Sequence, residues 1–173
     1  MITKIIIFVI IMQEIDVTKD GHYLCLINDQ TEEICLAAVR QTGYAIYHVK
    51  NQTREICLEA VRENGNAIEY VKDQTREICL EAIKQNICAI EYVRDQTEEL
   101  CLEAVKIDGY ALMFVREQTE EICLEAVRQE GTALRFVENQ TIEVVKEALK
   151  RNDEALKYAR EMIDDLIITY HRY

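Results

Sequence analysis

Residues 73–84, DQTREICLEAIK, decide the fold, because the chain repeats this stretch with small changes at a fixed distance. The Gln-Thr pair at its start occurs six times, in steps of 22 residues with no insertion. Such a period is typical of proteins in which each repeat packs against its neighbours. We number places from the residue before the Gln, so that repeat one spans residues 29–50 and repeat six begins at Asn139.

Each repeat has room for two short helices. Thr75, at place three, is a good helix N-cap, and Glu77 favours the positive end of the helix dipole. Apolar residues follow at helical spacing, with a small Ala at place ten. Helices of about 11 and about 7 residues would not be stable alone. The sequence therefore predicts an all-α fold, an α/α solenoid of about six to seven 22-residue two-helix repeats with degenerate capping units.

Glycine is confined to one place of the repeat, place fifteen, just after the first helix. A residue there often takes a positive φ, which Gly adopts without steric cost, so we expect a left-handed turn. Repeat three has Ile87 at this place, preceded by Asn86, and we expect an altered turn or a positive φ moved to Asn86. The five glycines are Gly21, Gly43, Gly65, Gly109 and Gly131.

Two residue types form ladders along the repeats. The Gln at place two lies in the turn between repeats, where its amide can bond to the neighbouring backbone, so we predict a buried or half-buried structural ladder. Cysteines at place seven sit on helices about 8–10 Å apart, too far to share a disulfide or a zinc ion, and we interpret them as small buried hydrophobes. A thiol ladder that senses oxidant is the weaker alternative. The ladder residues are Gln30, Gln52, Gln74, Gln96, Gln118, Gln140, Cys35, Cys57, Cys79, Cys101 and Cys123.

The pattern divides the chain into three parts. Residues 1–28 are a degenerate N-terminal cap with partial repeats, residues 29–160 are six helical repeats, and residues 161–173 are a capping extension and tail. The last helix is expected to run on to about Thr169 and to cover the end of the stack. Residues 1–12 carry an apolar run that we interpret as a cap, in a strand or short helix. It is too short to span a bilayer, and the alternatives are a membrane or targeting role, or an interface between copies.

The formal net charge of −12 argues against a nucleic-acid binder, which should carry a basic patch. Glu recurs at places five and nine, and Arg or Lys at place twelve. These columns allow two interpretations: a solvated face whose charges pair with one another, or an acidic stripe that binds a basic partner.

No group of titratable residues converges on a catalytic arrangement, so we expect no enzyme activity, no cofactor and no metal. The leading hypothesis is a non-enzymatic scaffold that binds one or more protein partners in a reducing intracellular compartment, with no membrane and no nucleic acid. The alternative is a structural protein that self-associates through residues 1–12. Variation at places sixteen and nineteen fits recognition and neutral drift equally well. The candidate partner surface comprises Tyr44, Tyr47, Glu69, Glu91, Tyr110, Met113 and Arg135.

The repeat itself resembles a known family. The pattern in residues 56–71, ICLEAVRENGNAIEYV, and the stretch LAAVRQTG at residues 36–43 are similar to a short helical repeat of unknown function. That repeat occurs in long arrays in giant DNA viruses of amoebae and in amoeba-associated bacteria. The resemblance implies an all-helical repeat protein of uncharacterised activity, in the host cytoplasm if viral, and it supplies no functional residues.

Overall fold

The computed structural model describes residues 16–159, in which seven 3-10 helices alternate with six α-helices. The predicted all-α repeat fold is confirmed. Residues 1–12, expected to form a cap, and the expected extension over residues 161–173 lie outside the described residues. The α-helices are α1 Glu32–Gln41, α2 Arg54–Glu63, α3 Arg76–Gln85, α4 Glu98–Ile107, α5 Glu120–Gln129 and α6 Ile142–Arg151. The 3-10 helices are η1 Gly21–Leu26, η2 Gly43–His48, η3 Gly65–Tyr70, η4 Ile87–Tyr92, η5 Gly109–Phe114, η6 Gly131–Phe136 and η7 Asp153–Tyr158.

The described residues divide into two compact bodies, the first ending at Tyr92 and the second beginning at Val93. In the first, α1, α2 and α3 pack in succession, and η1 to η4 pack in succession beside them. In the second, α4, α5 and α6 form one layer and η5, η6 and η7 form the other. Each body is therefore a two-layered stack of the solenoid type.

The α-helices begin where the sequence predicted. In each one the Thr at place three has extended backbone, and its hydroxyl accepts a hydrogen bond from the backbone N–H three residues on, as between Thr53 and Ile56 at 3.4 Å. The bond satisfies one of the N–H groups that a helix N-terminus leaves without a partner. The prediction of Thr as the N-cap is confirmed.

The α-helices end at place fourteen, and the residue there has a capping role that the sequence pattern did not predict. Asn64 is extended, with φ −147° and ψ 111°, and its N–H still donates to the carbonyl of Ala60. Its side chain then accepts from the N–H of Asn66, 3.0 Å away, and so caps the following 3-10 helix. One residue thus closes one helix and opens the next. The sequence did contain a signal for this role, because Asp and Asn are favoured at helix N-caps.

The explanation offered for the glycines was wrong. None of the five has a positive φ; each instead lies directly against the α-helix of the next repeat. A Cβ added to Gly43 would lie 2.3 Å from the carbonyl oxygen of Ala60, and one added to Gly109 would lie 2.5 Å from that of Ala126. Glycine is required because two backbones approach each other, with Ala at place ten keeping the facing helix equally slim.

The turn in repeat three shows no alteration. Asn86 has φ −148° and ψ 116°, the same extended conformation as its counterparts, and its side chain accepts from the N–H of Cys88 at 3.1 Å. Ile87 is half-buried at the start of η4. The expectation of an altered turn, or of a positive φ at Asn86, is wrong because the turn is made by extended backbone at place fourteen, which Asn86 adopts as its counterparts do.

The second helix of each repeat is a six-residue 3-10 helix instead of a seven-residue α-helix. At about 2.0 Å per residue it spans about 12 Å, close to the roughly 15 Å of a ten-residue α-helix. A seven-residue α-helix would span only about 10 Å. The 3-10 form lets the short return segment nearly match the α-helix it packs against.

The core lies between the two layers. Ala60 and Val61 on α2 and Ala67 and Ile68 on η3 are all 0% exposed. Burying a side chain the size of Ile contributes about 1.5–3 kcal/mol to stability, and each repeat supplies several such residues.

At the C-terminal end of the described residues, η7 ends at Tyr158, and Ala159 is extended with φ −69° and ψ 118°. The 3-10 helix therefore does not run on unbroken as expected, because its capping geometry is that of the earlier repeats.

Candidate functional site

The Gln at place two fixes the ends of consecutive 3-10 helices. The amide nitrogen of Gln52 donates to the carbonyl of Ile46, at 3.1 Å, and to that of Tyr70, at 3.0 Å. Its oxygen accepts from the N–H of Lys72 at 2.8 Å. Gln30 and Gln118 make the same three kinds of contact, and the ladder side chains are half-buried. These amides hold the 3-10 layer, and the side chains on it, in register.

The charged columns run along the α layer and pair with one another. The guanidinium of Arg62 contacts Glu59 in its own helix, at 3.2 Å, and Glu81 in the next repeat, at 3.0 Å. Arg40 and Arg62 hold the pKa of the Glu59 carboxyl below its usual value, chiefly through the hydrogen bond from Arg40. Arg128 bridges Glu125 and Glu147 in the second body in the same way. The Arg and Glu side chains of these columns therefore pair both within one helix and between neighbouring repeats.

The cysteines of the ladder lie within the core. Cys35, Cys57, Cys79, Cys101 and Cys123 are buried, and none of the cysteines within residues 16–159 forms a disulfide. Desolvation by burial raises the pKa of the Cys57 and Cys123 thiols to about 11. A thiol with such a pKa carries very little reactive thiolate near neutral pH. Cys25, which lies outside the ladder, is exposed.

Aromatic rings gather on the 3-10 layer of the first body. Tyr44, from η2, meets Tyr70, from η3, edge to face at 5.9 Å between centroids. Tyr47 contacts the ring of Tyr70 at 5.3 Å and that of His48 at 5.0 Å. These four rings and His22 line an open cavity of about 530 Å³, and Tyr47 is 66% exposed. We call these five residues the aromatic cluster.

A carboxylate lies at the edge of the aromatic cluster. Glu69 is exposed on η3, immediately before Tyr70. Its negative charge is the largest cause that raises the pKa of the Tyr70 phenol. Glu91 acts in the same way on Tyr92 one repeat further on. Carboxylates beside half-buried rings give this surface a negative, aromatic character suited to positively charged groups.

The second body carries a related pair of rings with a different neighbour. Tyr110, from η5, meets Phe136, from η6, edge to face at 5.9 Å. The guanidinium of Arg135 lies 5.1 Å from the Tyr110 ring centroid and 4.4 Å from that of Phe136. Met113 is 52% exposed on the same 3-10 helix as Tyr110.

The structure thus places all seven residues of the predicted partner surface on the 3-10 helices. Tyr44, Tyr47 and Glu69 come together in the aromatic cluster or at its edge, and Tyr110 and Arg135 are in contact. Glu91 lies on η4 and Met113 on η5, each exposed. Three rings at place twenty, Tyr70, His48 and Phe136, are half-buried and also contribute to these surfaces, although the predicted partner surface did not include them. An aromatic residue at this place was a signal that fits either a core position or a surface position.

Within residues 16–159, no group of three or more His, Cys, Asp or Glu side chains is arranged to hold a metal ion. Over the same described range, no helix is long and apolar enough to cross a membrane. A shallow depression of about 480 Å³ beside the N-terminus of α1 is lined by Gln30, Thr31 and Glu32, among others, and is largely polar in its residues.

Comparison with known families shows the family to which the chain belongs. The sequence matches the family described as Domain of unknown function (DUF4116) over residues 53–96, 97–141 and 119–164. Together these matches cover more than half of the chain, which belongs to this family. Each match spans about two of the 22-residue repeats, and the last two begin 22 residues apart, so the family model aligns in steps of one repeat. No curated protein and no solved structure matches the chain.

Proposed function

We propose that the chain is a non-enzymatic scaffold that binds a protein partner through the side chains of its 3-10 layer. The observation that carries the proposal is the aromatic cluster. Tyr47 is 66% exposed in a cavity bounded by four other rings, on helices that the Gln ladder holds in register. Exposed, rigidly held Tyr side chains are the residues that protein interfaces favour.

The contrast between the two layers supports this choice of face. In the α layer of the first body, charges pair across repeats, as between Arg40 and Glu59 at 2.7 Å. On the 3-10 helices the residues at places sixteen and nineteen vary among the repeats, while the frame beneath them stays constant. Place nineteen is exposed in every repeat, and place sixteen is mostly half-buried. A constant frame with such variable positions suits a recognition surface. Under the same proposal the protein works in a reducing intracellular compartment, the host cytoplasm if viral, where free thiols persist.

Site-specific photo-crosslinking tests the proposal. A photoreactive phenylalanine analogue replaces Tyr47 in the full chain, and the matched control replaces Gln129, exposed at the end of α5. In a lysate of the source cells we expect one defined protein to be captured from the position of Tyr47 and not from that of Gln129. No capture from either position, or the same set of proteins from both, argues against a scaffold that uses this face.

Self-association is the other candidate function, and it rests on the apolar run of residues 1–12 in the sequence. Light scattering of the full chain and of a variant that lacks these residues separates the two functions. A mass that falls to that of the monomer, together with crosslinks only between copies, favours assembly. A monomeric full chain that captures another protein favours the scaffold.

A further inference from the structure

The same arrangement of two rings and a residue at place nineteen occurs twice in the chain. Tyr44, Glu69 and Tyr70 stand three repeats before Tyr110, Arg135 and Phe136. The two ring pairs have the same geometry, with centroids 5.9 Å apart and interplanar angles of 75° and 84°. The difference lies at place nineteen, which holds Glu69 in repeat two and Arg135 in repeat five.

In the second body this arrangement already binds a cation. The Arg135 guanidinium lies within 5.1 Å of the centroids of two rings that come from consecutive repeats. A guanidinium at that distance over a ring face is attracted by the negative face of the ring. The second body therefore shows what this ring pair accepts: a planar cation approaching from place nineteen.

In the first body the equivalent rings, Tyr44 and Tyr70, have a carboxylate in place of the cation. Glu69 is exposed, and its charge raises the pKa of the Tyr70 phenol. The rings also face the cavity of about 530 Å³, which has Tyr47 as a further wall. The site offers two adjacent features that favour a guanidinium: aromatic faces, and a carboxylate able to accept its N–H groups.

We propose that Tyr44, Tyr70 and Glu69 bind the guanidinium of an arginine side chain from a basic segment of a partner protein. This inference rests on the proposed scaffold function and specifies the chemistry of the partner. The net charge of −12 favours the approach of such a segment. Arginine is favoured over lysine because its planar group can stack on a ring and donate to a carboxylate at once.

Nuclear magnetic resonance of the full chain with ¹³C-labelled tyrosine rings tests the inference directly. The chain has nine tyrosines, and single Tyr→Phe variants assign the signals of Tyr44, Tyr47 and Tyr70. The probe is N-acetyl-arginine methylamide, and the control is its citrulline analogue, which has nearly the same shape and no charge. We expect the three assigned signals to shift saturably at millimolar concentrations of the arginine probe. The citrulline probe should bind with an affinity at least about tenfold lower. No shift, or equal shifts with both probes, overturns the inference.

Exchanging the residues at place nineteen supplies matched variants. Glu69→Arg should fill the ring pair with an internal guanidinium, as Arg135 does, and weaken binding of the arginine probe about tenfold. Arg135→Glu should create a second site, seen as a new shift of the Tyr110 signal. Both positions are exposed, so the spectra of the remaining tyrosines should show an intact fold. Unchanged binding in Glu69→Arg overturns the inference.

Two further results separate the possibilities. Ring signals of Tyr44 and Tyr70 that change on dilution without any probe would mean that a second copy of the chain occupies the site, which overturns the proposed partner. Crosslinking from the position of Tyr47 tests for a partner of any chemistry, whereas the ring titration tests only the guanidinium site. A captured partner without an arginine shift therefore refutes this inference and leaves the scaffold standing. An arginine shift without a captured partner refutes the scaffold, and with it the proposed partner, and leaves only the guanidinium site standing.

Discussion

At the scale of single residues, Gly43 shows how the repeats come into contact. Its position leaves no room for a Cβ, which would meet the Ala60 carbonyl oxygen at 2.3 Å. Because both partners are backbone, no side-chain rotation can relieve the clash. We expect Gly43→Ala to lower the free energy of unfolding by about 3 kcal/mol, the upper part of the range for overpacked sites. Urea unfolding followed by circular dichroism measures the change.

The control for Gly43→Ala is Thr42→Ala, one residue earlier. Thr42 caps no N–H with its side chain, so this substitution should cost less than about 1 kcal/mol. If both variants unfold at the same urea concentration, the close approach of the two backbones does not limit stability.

The cysteines provide a second prediction at this scale. A thiol with a pKa of about 11, as for Cys57 and Cys123, is thiolate in only about one molecule in a thousand at pH 8. We expect an aromatic disulfide reagent at pH 8 to modify exposed Cys25 rapidly and these two only as the chain opens. Mass spectrometry of quenched samples locates each modification, and Cys25→Ser should remove the rapid phase. Rapid modification of Cys57 in the native chain would instead support the oxidant-sensing ladder.

Single residues also show where the sequence was sufficient and where it misled. Thr at place three was correctly predicted as an N-cap because that role depends only on local chain geometry. The role of Gly43 depends on Ala60 in the following repeat, a contact that local rules do not contain. The Tyr110 contact with Arg135 spans two repeats, so the spacing identified the variable places without revealing what they contact.

At the scale of secondary-structure elements, the Gln ladder sets the register of the 3-10 layer. Gln52→Ala would remove three hydrogen bonds of the side chain: two part-buried ones to the carbonyls of Ile46 and Tyr70, and an exposed one from the N–H of Lys72. We expect a loss of about 2 kcal/mol in the free energy of unfolding, since solvent can satisfy part of what is lost. Thermal and urea unfolding both report it.

A glutamine outside the ladder is the matched control. Gln41 is exposed at the end of α1, and Gln41→Ala should change stability by less than about 0.5 kcal/mol. Equal stability of the two variants would show that water replaces the ladder bonds without cost, and that apolar packing alone aligns the 3-10 helices.

The elements themselves were only partly predictable. Two helices per repeat followed from the apolar spacing, but the spacing of Ala67, Ile68 and Val71 fits both a 3-10 helix and an α-helix over so short a segment. The 3-10 form is favoured by the length of the α-helix it must match and by the cap at Asn64. Runs of six residues in this conformation are uncommon, and here tertiary contacts sustain them.

At the scale of the whole molecule, the fold consists of equivalent 22-residue repeats. The family matches at residues 97–141 and 119–164 overlap, because repeats one step apart are alike enough to align with the same family positions. In the first body each repeat contacts its immediate neighbours through equivalent residues, as α1 contacts α2 and α2 contacts α3. Stability in such a protein is the sum of repeat and nearest-neighbour terms.

Interchangeability predicts that a whole repeat can be removed. Deleting residues 51–72 joins Lys50 to Asp73 and brings Tyr92 to the place of Tyr70 beside Tyr44. We expect a chain that still unfolds cooperatively, with circular dichroism reduced by one repeat. Because Glu91 then takes the place of Glu69, the shortened chain should also retain the arginine-dependent shift of the Tyr44 ring signal.

A shorter deletion, which does not match the 22-residue period, is the control. Removing residues 51–61, half a repeat, would place the 3-10 segment of repeat two where an α-helix must begin and would leave Gly43 without a facing Ala. This variant should lose its helical signal and aggregate, although it keeps more of the chain than the longer deletion. If the shorter deletion folds as well as the longer one, the apolar content of the chain matters more than its 22-residue register. If the longer deletion fails to fold, contacts specific to repeat two outweigh the equivalence of the repeats.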